Sequence, residues 1–221
     1  MNFLEACKRV ALRCGVSSTG PATVIGQIGE LLLITQWVQD SHEEICAKWL
    51  NWKFLWKRLS STTTANQAIV SPPDDLGIWD FSAIRVNGEL LSVEEYDPIK
   101  SDWEPSTETG IPTMAVILPD NSLQLDPIPD DSYIVSADYF KYAETPINNT
   151  DQFLLPDKYQ RAIIGRAMMF YAGYQNAPEV KQEGLEMYQM AMTQLESHEL
   201  PGNGYMHGVS TGSMDFRVIP E

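Results

Sequence analysis

The sequence predicts an α+β protein: N- and C-terminal helix pairs form a four-helix bundle, with an inserted antiparallel β-sandwich or barrel domain and a flexible C-terminal tail. Three observations predict it. Both ends of the chain space their apolar residues with helical period, the middle consists of short β-prone runs cut by turn residues, and the charge divides at the same places. The division that follows is residues 1–53 with 152–201 as the helical bundle domain, 54–151 as an acidic β domain, and 202–221 as the tail. A chain of 221 residues, 43 % apolar and 10 % aromatic, has enough packing material for such cores and is not disordered as a whole.

The first helix opens at Asn2, with Glu5 three residues on as in a capping box. Phe3, Leu4, Cys7, Val10, Ala11 and Cys14 form its stripe, and Gly15 stops it. The breaker cluster Ser17-Ser18-Thr19-Gly20-Pro21 leads into a longer pattern in which Ile28, Leu31, Leu32, Thr35, Val38, His42, Ile45 and Trp49 recur by threes and fours. A helix over residues 27–50 would be roughly 36 Å long at ~1.5 Å per residue, the length of a bundle helix.

After Asn51 the period changes, and residues 54–64 favour strand. Residues 84–86, 90–93, 114–118, 122–125 and 133–140 read as further short strands. They are separated by Asn87-Gly88, Pro119-Asp120-Asn121 and Pro127-Ile128-Pro129-Asp130, residues that favour tight turns. Helix returns at Pro156, with Tyr159, Ile163, Ile164, Ala167, Phe170, Tyr171 and Tyr174 on its buried face. Pro178 opens a fourth helix striped by Leu185, Tyr188, Met192 and Leu195 and ended by Pro201-Gly202. The tail combines Gly202, Gly204, Gly208 and Gly212 with the apolar Tyr205, Met206, Phe216, Val218 and Ile219. A segment of that kind orders on a partner or folds back on its own domain.

Residues 71–151 hold seventeen acids against three bases, a formal −14, while the rest of the chain holds thirteen acids against twelve bases, −1. Such a segment is unsuited to gripping duplex DNA, where affinity comes from Lys and Arg displacing counterions. No apolar run approaches the ~20 residues of a membrane span, and no basic-then-apolar leader opens the sequence, so cytoplasmic synthesis is the expectation. Cys7, Cys14 and Cys46 lack CxxC spacing or neighbouring histidines and read as buried free thiols.

Catalytic constellations are sparse. His42-Glu43-Glu44 has no second histidine four residues after the first, and His42 reads as a half-buried bundle residue. Residues 208–212 spell GxSxG without the strand before and the helix and histidine after that the nucleophile elbow requires. Gly20, Gly26 and Gly29 form no phosphate loop and read as loop and helix-entry residues, and Asn148-Asn149-Thr150 is a glycosylation triplet without a secretion signal. No cofactor or metal is expected. Trp49, Trp52 and Trp56 interleave with Lys53, Lys57 and Arg58, as in single-strand binders, but read first as an interdomain hinge filled by large rings. The acid pairs Asp74/Asp75, Glu94/Glu95 and Asp130/Asp131, with Trp79 and Trp103, leave a carbohydrate-binding or glycoside-cleaving β-sandwich as the alternative function.

Several segments together resemble the tailed-phage head-to-tail adaptor (connector) family. They are Asn2-Phe3-Leu4-Glu5, the loop from Gly15-Val16-Ser17 to Gly20-Pro21, Gly26-Gln27 running to Trp37-Val38, and Trp52-Lys53-Phe54-Leu55. Gly77-Ile78-Trp79-Asp80, Gly110-Ile111-Pro112, the stretch 123–130, Leu155-Pro156 and residues 167–172 continue the likeness over about residues 1–200. The resemblance implies a non-enzymatic homo-oligomer, typically a 12-mer ring, at the head–tail junction of the virion and assembled in the bacterial host cytoplasm. It implies a portal protein above, a tail tube or nozzle protein below, and DNA passing through without specific binding. On that reading the tail residues Tyr205, Met206, Phe216, Arg217, Val218 and Ile219 are expected to bind the portal.

Overall fold

The computed structural model describes residues 1–96 and 106–201. Four helices appear among them: α1 (Phe3–Arg13), α2 (Gly29–Ala47), α3 (Arg161–Gln175) and α4 (Pro178–Glu199). The strands are β1 (Trp56–Thr62), β2 (Ile69–Val70), β3 (Leu76–Trp79), β4 (Arg85–Val86), β5 (Glu89–Leu90), β6 (Ser92–Glu95), β7 (Thr109–Gly110), β8 (Met114–Ile117), β9 (Leu123–Asp126), β10 (Ile128–Pro129) and β11 (Ile134–Lys141).

The Asn2 side chain caps α1 by accepting the Glu5 N–H at 2.8 Å, while the Glu5 carboxylate turns away to Arg9, so only half of the expected capping box forms. Gly15, at φ +70°, takes the chain out of the helix. Helix α2 is shorter than the expected 27–50, because Gly29 at φ +59° and the extended Ile28 delay its start and it stops at Ala47. Its buried face is also rotated from the predicted stripe. Ile34, Thr35, Val38, Ser41, His42, Ile45 and Cys46 are buried, while Ile28 is 84 % exposed and Trp49 43 %. The polar members tolerate burial because the Thr35 and Ser41 hydroxyls donate to the carbonyls of Leu32 and Trp37. Pro156 leads into a short 3₁₀ turn (Asp157–Tyr159), and α3 begins at Arg161. Pro178 opens α4 as expected.

Helices α1 and α2 both pack on α3, and α3 packs most extensively on α4. Gly165 and Gly184 make the last contact a backbone approach: a Cβ on Gly165 would lie 2.6 Å from the Gly184 carbonyl oxygen, and one on Gly184 would lie 2.7 Å from that of Gly165. Residues from both chain ends share one core, including Phe3, Cys7, Val10, Ile34, Ile45, Trp52, Leu155, Tyr159, Ile163, Met168 and Leu195. The return from the β segment is stitched to the N-terminus. The Phe3 N–H donates to Asp151 O at 2.9 Å, and the Asn149 side chain accepts the Val24 N–H at 2.7 Å, which gives a residue of the glycosylation triplet a structural role.

The strands form one five-stranded sheet, in which β11 pairs with β1, β3 and β4 and β4 continues to β5, and one four-stranded sheet ordered β2-β9-β8-β6. Asn87 (φ 49°) and Gly88 (φ 88°) make the two-residue β4–β5 hairpin that Asn-Gly predicts. The sheets are not purely antiparallel. β6 runs parallel to β8, an arrangement that the long connection between Glu95 and Met114 permits, and β7 and β10 form a two-residue parallel pair. Neither sheet closes into a barrel among the described residues. Val70, Trp79, Val86, Ala115, Leu123, Leu125, Val135 and Tyr139, drawn from both sheets, form a second core. β11 joins the two cores, since Tyr139 points into the second and its neighbour Phe140 into the first, as alternation along a strand requires.

Candidate functional site: the junction of the two cores

The chain passes from helix to sheet through Lys48 to Trp56, and the three tryptophans there have different fates. Trp52 is fully buried and donates its indole N–H to the Ile45 carbonyl at 3.1 Å, with Phe54 stacked on it at 5.5 Å. Trp49 is half exposed and donates to Glu196 Oε1 at 3.3 Å. Trp56, 47 % exposed, opens β1 with the Arg58 guanidinium 5.6 Å from its ring centroid. The stretch is therefore one anchor between two partly open rings.

The end of α4 is tied to the same place. Lys48 pairs with Glu196 at 2.7 Å, Lys53 Nζ donates to the His198 carbonyl at 2.9 Å, and the Tyr159 hydroxyl meets His198 Nδ1 at 2.7 Å. On the sheet side Arg58 makes two bonds to Asp138, at 2.5 and 2.9 Å, and Lys57 pairs with Asp75 at 2.6 Å. The Arg58 hydrogen bond holds the Asp138 carboxyl below the usual carboxylate range, and the Lys57 hydrogen bond does the same for Asp75. Between these braces lies a groove of about 380 Å³ lined by Lys53, Trp56, Asp80, Asp138, Phe140 and Pro201.

Sequence reasoning found the tryptophans but missed Asp80, Asp138, Phe140 and Pro201. The strand pairing that sets Trp56 opposite Phe140 brings Phe140 and Asp138 there across more than eighty residues of chain, the Asp80 N–H bonds the Asp138 carbonyl at 2.9 Å, and Pro201 follows the end of α4. The basic side chains interleaved with the tryptophans are engaged here: Lys53 on a carbonyl, Lys57 and Arg58 on carboxylates.

Several residues of the alternative sugar-site reading are engaged elsewhere. Trp79 is a buried core residue donating to the Asn121 carbonyl at 2.9 Å, so it offers no stacking platform, and Trp103 lies outside the described residues. Asp75 is held by Lys57 and Tyr139, Asp130 accepts the Tyr133 hydroxyl, and Asp131 accepts the Ser132 N–H. Among the described residues no three His, Cys, Asp or Glu side chains are grouped to hold a metal ion, and no helix is long and apolar enough to cross a membrane.

His42 is fully buried rather than half-buried. Its ring lies against Phe153 at 5.3 Å, its Nε2 is 3.6 Å from Cys46 Sγ, and burial pushes its pKa down to about 4. The three cysteines are buried free thiols, each pushed up to about 12 by burial. The GxSxG run and the tail residues Tyr205, Met206, Phe216, Arg217, Val218 and Ile219 lie outside the described residues.

The chain is thus a mixed α+β protein whose two ends close one core, joined through β11 to a strongly acidic sheet region. A family model described as SU10 adaptor protein matches residues 1–208, and the chain belongs to that family; it is a phage adaptor protein with a structural role in the virion. A search of curated proteins gives no match.

Proposed function

We propose that the chain is a head-to-tail adaptor that forms a ring below the portal, links the capsid to the tail, and surrounds the path along which DNA leaves. The observation that carries this reading is the family match itself, which runs across both cores and the junction. In this reading residues 1–53 with 152–201 act as a four-helix bundle standing along the channel, and residues 54–151 act as a sandwich facing outward or downward toward a tail tube or nozzle protein. Trp49, Trp52 and Trp56 form the hinge between them, and the tail engages the portal through Tyr205, Met206, Phe216, Arg217, Val218 and Ile219.

Physical considerations support the reading. Head-to-tail contacts between copies close into rings when the rotation per subunit divides the circle, and many weak contacts then sum. Each copy adds a formal −15, so a 12-mer surrounds its passage with acidity that prevents DNA from sticking. A Debye length of about 8 Å keeps that repulsion local. The subunits assemble in the host cytoplasm and catalyse no reaction.

The test is to mix the purified chain with its portal and image the product by negative stain. An added ring of density on the portal is the expected outcome, and portal particles unchanged at saturating protein would refute the reading. A chain ending at Pro201 should fail to add the ring; undiminished binding would remove the tail from the contact.

A further inference from the structure

We propose that neighbouring copies meet by laying the outer face of α2 of one copy lengthwise in the cleft between α1 and α4 of the next, with Asp40 against Lys158 and Arg161. The proposal rests on the ring reading and names the two surfaces that reading requires. A ring closed by head-to-tail contact needs two different faces on separate sides of each subunit. α2 and α4 supply such sides, since both pack on α3 and share little packing with each other.

The cleft has a volume of about 710 Å³, and its apolar lining includes Met187 and Met190, the second 67 % exposed. Its charges are unevenly satisfied. Glu5 holds Arg9, Asp157 holds the amino terminus and Glu183 holds Arg13. Lys158 and Arg161 form no ion pair among the described residues, and Glu186 accepts the Gln182 amide but holds no cation there. The approach of Gly165 to Gly184 sets Glu183 and Glu186 at one end of the cleft. The bond between the Tyr159 hydroxyl and His198 sets Lys158 toward the other, with Arg161 three residues inward.

The outer face of α2 has the complementary order. Ile28 and Leu32 are exposed apolar residues, and Gln36 and Asp40 continue the exposed row. No side chain caps the start of α2, so its first N–H groups and the positive end of its dipole favour a carboxylate. Asp40, eleven residues after Gly29, makes no ion pair among the described residues. Its carboxyl is raised above the ordinary range by partial burial and then by Glu43 and Glu44, so a cation brought against it is favoured. From Gly29 to Asp40 the helix covers about 16 Å, and Glu183 to Gln194 of α4, which line the cleft, cover the same length. Laid parallel to α4, α2 brings its amino end to Glu186, Ile28 and Leu32 to the methionines, and Asp40 to Lys158 and Arg161.

The test places p-benzoylphenylalanine at position 32 of the full-length chain, irradiates it both on portal and as concentrated protein without portal, and maps the products by mass spectrometry. The expected product joins two chains and links position 32 to residues 183–194. Asp40→Lys or Arg161→Glu alone should lower its yield roughly two- to fivefold, the range of one exposed ion pair, and the two reversals together should restore it. Both positions are exposed, and far-UV circular dichroism checks that the variants are folded. Cross-links that stay within one chain or map elsewhere, or a yield that the reversals do not lower and restore in this way, would overturn the contact even where rings form. Bare portal particles, with the expected product still formed in concentrated protein, would refute the ring reading and uphold the contact.

Discussion

The helical region and the sheet region of this protein are built on opposite economies of charge and shape. The helical core is closed by fine steric fit: Gly165 against Gly184, a fully buried Trp52, and a histidine and three thiols kept uncharged by burial. The sheet region carries nearly all of the excess charge and has too few bases to neutralise it, while its core is packed from short strands. Shape is therefore tightly constrained in one half and surface charge in the other. A damaging substitution should act through packing in the helices and through the field in the sheets.

The sharpest way to break that contrast is at the junction. Trp52→Ala empties a fully buried site in the helical core and orphans the Ile45 carbonyl, and should cost about 3–5 kcal/mol in urea unfolding. Trp56→Ala, four residues on and half exposed, should cost far less. Equal losses at the two positions would mean that the junction is not organised around a single anchor.

Next in size is the crossing of α3 and α4. Gly165→Ala or Gly184→Ala drives a methyl group into a backbone carbonyl that no rotamer change can move, so the helices must separate. The expected loss is about 2–3 kcal/mol, read as a lower midpoint at unchanged slope. A loss under half a kilocalorie would show that the helix pair slides to accommodate the methyl.

Acidification should affect the two regions in sequence. His42 is neutral when folded, with its pKa lowered to about 4 by burial among Phe153 and Cys46, against about 6.5 when unfolded. Between those values the unfolded chain binds the extra proton, so stability falls as pH drops from about 6.5 to about 4, by on the order of 3 kcal/mol. The carboxyls of Asp75 and Asp138 are shifted the other way. Their contribution is present above the unfolded carboxylate pKa and is lost only as pH falls through their lowered folded values. Unfolding curves at pH 7 and pH 4.5 should therefore differ markedly for the native chain and little for His42→Leu.

Much of this fold was legible in the sequence where local chemistry decides it. Asn2 and Gly15 bound α1, Pro178 opens α4, Asn87-Gly88 makes its hairpin, and the run 133–140 becomes β11. What was not legible depends on distant partners. Nothing local marks the parallel pairing of β6 with β8, the mutual approach of Gly165 and Gly184, or the meeting of Trp56 with Phe140, since each is fixed by how elements far apart in the chain come together. The rotated face of α2 is a case between the two. His42 lay on the expected stripe as a half-buried residue and is fully buried, its ring kept neutral by burial, while Ser41, outside that stripe, enters the core because a backbone carbonyl accepts its hydroxyl. Trp79 misled for the same kind of reason, since its position on an acidic segment suggested exposure and its strand turned it inward.

The smallest effect makes the finest test. Gly173 sits on the same helix as Gly165, yet a Cβ there would meet nothing within 4 Å. If the glycine at 165 is kept for close approach and the one at 173 is not, Ala should have opposite signs at the two positions on one helix. Gly173→Ala should stabilise the chain by about 0.5–1 kcal/mol, because a helical glycine surrenders backbone entropy that alanine does not. Thermal unfolding of the two single variants side by side measures this. A loss at both positions would show that α3 has little room for added side-chain volume anywhere along its length, and that the steric constraint belongs to the whole helix rather than to its crossing with α4.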